Sequence, residues 1–311
     1  MLINEELYNR IYQKKKQLDN LRPFPKTALE RLKERLRLLF TYNSNAIEGN
    51  TLTLSETKLV VQEGITIGGK SLREHNEAIN HQKAIEFIEQ IVTEKKQITE
   101  ELLCQLHGII LSNIEQEEKG MYRKRKVWIE GASFVPAKPE LVPGLMKDFF
   151  VWLETNPDKL NEIEQAAVAH EKFVFIHPFI DGNGRVGRLI TSLMLMQKGF
   201  PPLIVLKTER QKYIRSLEAG HKENYAPLVN FMGRCLERSL VMYLEALQVN
   251  ITKDKEYISL QEATKYCNYS QEYLSLLARK GLLEAMKFQR DWMTTRKAIE
   301  EYVKKQESQK N

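Results

Sequence analysis

The amino-acid sequence predicts a mainly α-helical chain that carries one small β-hairpin and ends in a second, smaller domain of helix-turn-helix character with a wing. Three observations predict it. Apolar residues recur at three- and four-residue spacing, with Lys, Arg and Glu between them, through most of the chain up to Leu247. Strand signals are sparse. A polar stretch, residues 249–256 (VNITKDKE), then breaks the pattern and is followed by a segment with its own rhythm of short helices.

The helical pattern covers Glu5–Leu18, Thr27–Ile47, Ser71–Val92 and Thr99–Ile114, with Thr99 suited to an N-cap. Pro139 or Pro143 opens a further helix to Glu154. Glu162–Phe175, Val186–Gln197, Glu209–Glu218 and Tyr225–Leu247 continue the series. Val127-Trp128-Ile129 and Ser133-Phe134-Val135 flank Glu130-Gly131-Ala132 and read as a hairpin, and Leu203–Leu206 is a second short strand-like run. From Tyr257 to about Val303 a helix-like start at Ile258 is followed by a helix that Ser270 caps. The pair Met286-Lys287-Phe288 and Trp292–Thr295 then forms a wing, and a last helix begins at Arg296. This order resembles excisionase-like winged-helix modules. Arg279, Lys280, Lys287 and Arg290 could meet phosphates, but Glu272 and Glu284 dilute the charge and base-reading side chains are few. DNA binding, protein docking and dimerisation all stay open for it.

The formal net charge of +6, with a pI near 9.0, suits phosphate ligands or nucleic acid without singling out either. A composition 42% hydrophobic and 28% charged is that of a soluble globular chain with a sizeable core. The three cysteines, Cys104, Cys235 and Cys267, form no CxxC pair, which points to a reducing compartment and no zinc site. The N-terminal segment lacks an apolar signal core, and no run approaches the roughly 18 apolar residues of a membrane span. A cytoplasmic location is expected.

The densest chemistry lies between His177 and Arg188. Pro178 cannot continue the preceding helix, so the chain breaks there. Gly182-Asn183-Gly184 can take the positive φ of a tight loop, and a helix restarts near Arg185. A glycine-rich loop opening onto a helix N-terminus offers unpaired N–H groups and a positive dipole end to an anion. Arg185 and Arg188, three residues apart, face one ligand. Asp181 is a hard oxygen donor suited to Mg²⁺, and His177 supplies a base. Together these are the parts needed for phosphoryl-group transfer. Gly182, Gly184 and Gly187 also fit GxGxxG, but the polar residues between them and the lack of strand–helix alternation argue against a dinucleotide-binding sheet. No Lys-Ser/Thr follows the glycines, which excludes a Walker A loop.

HPFIDGNGRVGR matches the Fic motif HxFx[D/E]GN[G/K]RxxR at every defined position, and the chain resembles the Fic family over roughly residues 30 to 240. Gly120-Met121-Tyr122-Arg123, the hairpin, and the helix entering at Glu164-Gln165-Ala166-Ala167 share the likeness. The resemblance implies a Fic helical bundle with a β-hairpin flap and an enzyme, a protein adenylyltransferase, that moves AMP from Mg-ATP to a Ser, Thr or Tyr hydroxyl. It implies His177 as the base, Asp181 as the Mg²⁺ ligand and Phe179 as a core anchor. Gly182, Asn183 and Gly184 would cradle phosphate oxygens through backbone and amide donors. Arg185 would sit on the α- and β-phosphates and Arg188 on the γ-phosphate. Gly187 joins the nucleotide-binding set, with Tyr213 as an aromatic wall for adenine.

Ser44-Asn45-Ala46-Ile47-Glu48-Gly49 fits the family's inhibitory motif [S/T]xxxE[G/N]. A carboxylate at a helix C-terminus wants a partner, and the resemblance supplies Arg188, whose capture by Glu48 would remove the γ-phosphate clamp. The implied layout is an N-terminal helical region 1–95 with an inhibitory helix at about 27–48, a catalytic core 96–248 and a C-terminal domain 257–311. Val127, Trp128, Ile129, Ser133, Phe134 and Val135 would form the flap on which a target segment docks. Self-modification and a homodimer are further expectations. Removal of AMP, transfer of another nucleotide, and a DNA-binding regulator with a nucleotide-sensing core remain alternatives.

Overall fold

The computed structural model describes residues 1–24, 26–128, 134–254, 257–280, 282–288 and 291–308. They cluster into two compact units, one of Met1–Asn20 with Arg31–Met242, the other of Leu21–Glu30 with Tyr243–Asn311. No helix among the described residues is long and apolar enough to cross a membrane.

The first unit is helical. Helix α1 (Glu5–Asn20) buries Leu7, Ile11 and Leu18, and α2 (Lys26–Ile47) buries Leu32, Leu36 and Phe40 in this unit. Helix α3 (Leu54–Glu63) starts from a capping box between Thr53 and Glu56, and α4 (Leu72–Glu94) from one between Ser71 and Glu74. Helix α5 (Glu100–Ile110) is capped by Thr99. After α6 (Val142–Thr155), with Pro143 in its first turn, come α7 (Glu162–Ile176) and α8 (Asn183–Gln197). Helix α8 is almost wholly buried and packs on α4, α5 and α7. At Gly187 an added Cβ would lie 3.1 Å from His170 and 3.2 Å from Val174, so glycine permits the close approach of α7 and α8. Helices α9 (Arg210–Gly220) and α10 (Ala226–Asp254) follow.

The C-terminal part of the second unit has its own core of Leu260, Ala263, Leu274, Leu277, Leu283, Ala298 and Ile299. Strands β1 (Tyr257–Ser259), β2 (Ala285–Phe288) and β3 (Asp291–Thr295) form an antiparallel sheet in the order β1-β3-β2. Helices α11 (Leu260–Ala263), α12 (Gln271–Arg279) and α13 (Arg296–Ser308) complete it, and Ser270 caps α12 by accepting from the Tyr273 amide at 3.2 Å. Arg279 and Lys280 are exposed. Gly281 and Arg290 lie outside the described residues, and nothing is described of the Lys287 side chain.

Three readings are corrected, and a fourth lies largely outside the described residues. Helix α3 was not expected, although its capping box stands in the sequence. The polar stretch after Leu247 does not break the chain at once, because α10 runs to Asp254. Leu203–Leu206 is extended but joins no strand among the described residues. Its polar groups turn to side chains instead: Ser192 Oγ accepts from the Leu203 amide at 3.2 Å and donates to its carbonyl at 3.1 Å, and Arg238 donates to the Ile204 carbonyl at 3.1 Å. In the expected flap hairpin, Ile129, Glu130, Gly131, Ala132 and Ser133 lie outside the described residues, while Val127, Trp128, Phe134 and Val135 carry no strand pairing.

Candidate active site

The loop between α7 and α8 is fixed from several directions. Asn161 starts α7 with a capping box, and His177 ends it with φ of 52° and ψ of 58°. A left-handed histidine is uncommon and is held only where its surroundings over-determine it. The His177 amide still donates to the Phe173 carbonyl at 3.1 Å. Arg123, itself buried, donates through Nε to the His177 carbonyl at 2.7 Å and through Nη2 to the Ala137 carbonyl at 2.5 Å, while its amide donates to the Pro178 carbonyl at 2.9 Å. Phe179 is fully buried and its ring stacks on His107 at 3.7 Å and 7°. His107 Nδ1 accepts from the Gly120 amide at 2.9 Å, which leaves the proton on Nε2 to donate to the Asp181 carbonyl at 3.1 Å. Helix α5 and the segment after it thereby reach a loop that is distant in sequence.

Gly182 caps α8 with φ of 78°, and a Cβ there would lie 3.2 Å from Ile110. The first amides of α8 have no acceptor within the helix. They open on a cavity of 210 Å³ lined by Glu48, Val127, Trp128, His177 and the stretch from Ile180 to Arg185. Burial holds the His177 imidazole at about 4, so the ring is neutral at pH 7. Its Nδ1 is buried without a hydrogen-bond partner among the described residues.

The charged groups form one network around that cavity. Burial works against ionisation of Asp181, but Arg185, the Gly182 amide and Arg73 outweigh it and hold the carboxyl below its ordinary range. Arg185, only 2% exposed, reaches Asp181 at 3.1 Å and Glu77 at 3.2 Å. Arg188, 1% exposed, donates through Nη2 to Glu48 Oε1 at 2.7 Å and to the Ser44 carbonyl at 2.8 Å, and through Nε to Ser44 Oγ at 3.0 Å. The Glu48 carboxylate lies so close to the first turn of α8 that a Cβ on Gly184 would be 2.3 Å from Oε1. Gly49, φ 100°, turns the chain after α2. Arg185 Nε and Arg188 Nη1 are buried without a hydrogen-bond partner among the described residues. A site with donors to spare and a helix N-terminus suits an anion.

His177, Asp181, Gly182, Gly184, Arg185, Arg188, Ser44, Glu48 and Gly49 therefore converge. Three expected ligand-binding residues make contacts within the protein. The Asn183 side chain accepts from the Phe179 amide at 3.0 Å and donates to the Phe179 carbonyl at 2.8 Å, so its amide staples the loop at the cavity's edge. Gly187 serves helix packing. Tyr213 is 3% exposed, donates or accepts at His170 Nε2 at 2.6 Å and sits under the Arg188 guanidinium at 5.9 Å. It is a buried support for Arg188. Of the described flap residues, Val127 and Trp128 line the cavity, Val135 is exposed, and the Phe134 ring packs on Phe175 and His221 at 5.1 and 4.1 Å. A second cavity of 440 Å³ lies beside these rings, lined by Phe149, Trp152, Phe175, Ile176, His221 and Tyr225 among others.

Arg73, Glu77 and His107 were not anticipated. Arg73 Nη2 donates to Asp181 Oδ2 at 2.5 Å, and Arg73 Nε to Glu77 at 3.3 Å. On a helix read alone, charges four apart look like an ordinary solvated face.

Residues 97–195 match the Fic/DOC family. The chain is similar to a protein adenylyltransferase Fic of Drosophila virilis, 37% identical over 71% of this chain and 45% of that protein. It is also similar to one of Nematostella vectensis, 34% identical over 79% of this chain and 58% of that protein. It thus spans about half the length of these relatives. Its structure is similar to that of a Fic-domain-containing signaling protein from Bacteroides thetaiotaomicron, with a TM-score of 0.71 and 32% identity over 77% of this chain and 97% of that one.

Proposed function

The chain belongs to the Fic/DOC family, and we propose that it is a protein adenylyltransferase that moves AMP from ATP to a side-chain hydroxyl of a target protein and is restrained by its own Glu48. The observation that carries the proposal is the anion site at the start of α8, with a neutral histidine on one side and the Glu48 carboxylate already seated on Arg188 on the other.

In this reading the His177 ring takes the proton of the target hydroxyl. The hydroxyl oxygen bonds to the α-phosphorus, the bond from that phosphorus to the bridging oxygen breaks, and pyrophosphate leaves with the electron pair. Arg185 and the first amides of α8 offset the charge that grows on the phosphate oxygens. The Asp181 carboxylate fits a divalent cation: it is a one-third-exposed hard donor, held ionised, and one of its oxygens already bears the Arg73 cation. When bound, Mg²⁺ would be held by Asp181 and would supply positive charge to offset that of the phosphates. The aromatic cavity that begins at Ile176, next to His177 in the chain, is proposed for the base, in place of Tyr213.

While Glu48 holds Arg188, a γ-phosphate lacks its clamp and the triphosphate lies badly for in-line attack. Self-modification is part of the proposal, because the chain presents its own hydroxyls at high local concentration. The C-terminal elements are proposed as a winged-helix-like docking module.

The test is incubation of purified protein with α-labelled ATP and Mg²⁺. Label should appear on protein, rise in Glu48→Gly and vanish in His177→Ala. Absence of label from both the wild type and Glu48→Gly, with lysate proteins supplied as targets, overturns the proposal.

A further inference from the structure

Asp181 bears three positive partners, and they are not held alike. Oδ1 accepts from the Gly182 amide at 2.5 Å and stands 3.1 Å from Arg185 Nη2, and Oδ2 accepts from Arg73 Nη2 at 2.5 Å. The Gly182 amide is fixed by the backbone. Arg185 is buried and gripped a second time by Glu77 at 3.2 Å. Arg73 differs in each respect. It stands in the first turns of α4, 108 residues before its partner, and its side chain is 50% exposed. Two other carboxylates lie within its reach, Glu77 at 3.3 Å and Glu115 at 3.7 Å.

We infer that Arg73 is an exchangeable cation on Asp181 Oδ2, displaced onto Glu77 and Glu115 when a divalent metal arrives with the nucleotide. The inference rests on Asp181 being the metal ligand. A metal ion and a guanidinium cannot share the same face of Oδ2. Of the three partners only Arg73 can leave without unwinding the loop or stranding a buried charge. It also has carboxylates to accept it, so its departure costs little.

Two consequences follow. With no metal present, Arg73 neutralises Asp181, so a bare triphosphate meets no exposed carboxylate. With metal present, the ion must compete with Arg73, so the metal's hold on the site is moderated. Arg73 thus flattens the difference between metal-free and metal-bound nucleotide binding.

Isothermal titration of ATP, once with Mg²⁺ and once with a chelator, measures that difference as a ratio of Kd values. The comparison is made in a Glu48→Gly background, which frees the anion site. Arg73→Ala should enlarge the ratio about fivefold, the worth of one part-exposed ion pair, through tighter Mg-ATP and weaker free ATP. Arg73→Lys, which keeps a cation on a shorter reach, should fall between. Asp181→Ala should remove most of the metal dependence. An unchanged or smaller ratio in Arg73→Ala, alongside the loss in Asp181→Ala, overturns the role of Arg73 and leaves the metal site standing. Full metal dependence in Asp181→Ala overturns the metal site and this inference together. Arg73 is half exposed, so its variants should melt close to their parent.

Discussion

Replacing Glu48 should raise nucleotide transfer and lower stability in the same variant, because one carboxylate serves both. Arg188 is 1% exposed and Glu48 is 38% exposed. Their 2.7 Å pair therefore lies between surface pairs, worth about 0–1 kcal/mol, and fully buried ones, whose rupture costs about 3–5 kcal/mol. Arg188 keeps its two bonds to Ser44 after the change, which argues for about 2 kcal/mol. For a unit of this size that lowers Tm by about 4–8 °C. The freed guanidinium can then make a charge-assisted bond to a terminal phosphate, worth about 1.5–3 kcal/mol, or roughly 10- to 150-fold in rate. Glu48→Ala should display both effects. Glu48→Gln, which keeps the shape and loses the charge, should show most of the activation with a smaller drop in Tm. Mg-ATP should close part of the Tm gap, since its phosphate replaces the missing anion. Thermal melts with and without nucleotide, run beside labelled-ATP transfer, make the comparison. A Glu48→Ala protein that labels no faster than wild type, or that melts higher, refutes the reasoning.

Two further outcomes are expected. His177 and His107 sit at about 4 and His170 at about 3, each depressed chiefly by burial from 6.5. Between pH 6.5 and about 4 the unfolded chain therefore binds protons that the folded one does not, and stability falls with pH, by about 2 kcal/mol per group at pH 5; equal urea midpoints at pH 7.5 and pH 5 would count against buried neutral rings. Gly187→Ala should lose about 1–3 kcal/mol by crowding His170 and Val174 while leaving the Kd for ATP unchanged, and a lost Kd with an unchanged Tm would return Gly187 to the nucleotide site.

Much of the loop from His177 to Arg188 could be read in advance because its parts are contiguous. A base, a carboxylate, three glycines and two arginines within twelve residues from His177 to Arg188 define a chemistry without help from elsewhere. The long helices were equally plain, since each carries an apolar stripe and several carry a cap. What escaped depends on distant partners. Arg73, Glu77 and His107 read as ordinary helix surface or core until α4 and α5 are packed against α8. Asn183 and Tyr213 look like ligand groups by type, yet each spends its polar atoms on the protein: Asn183 on the Phe179 backbone, Tyr213 on His170. Leu203–Leu206 has strand composition but meets Ser192 and Arg238 where a strand needs a ladder. Composition states what a segment can do, and its neighbours decide whether it does.

Glu48 stands where two helix dipoles act on it in opposite senses. It follows directly on Ile47, the last residue of α2, where a carboxylate meets the negative end of its own helix. It also abuts Gly184 in the first turn of α8, where the positive end attracts it. The two effects largely cancel, so what keeps Glu48 in place is mainly Arg188. Arg188 is not equally dependent on Glu48, because Ser44 holds it through both a hydroxyl and a carbonyl and Tyr213 lies beneath it. An incoming anion can therefore displace the carboxylate without disturbing the guanidinium that must receive it. A restraint built on a fully buried pair would need several kcal/mol to open and would unseat its own clamp. As the proposed restraint, the Glu48–Arg188 pair would open for about 2 kcal/mol, a roughly 30-fold handicap, and would leave Arg188 already aimed at the site.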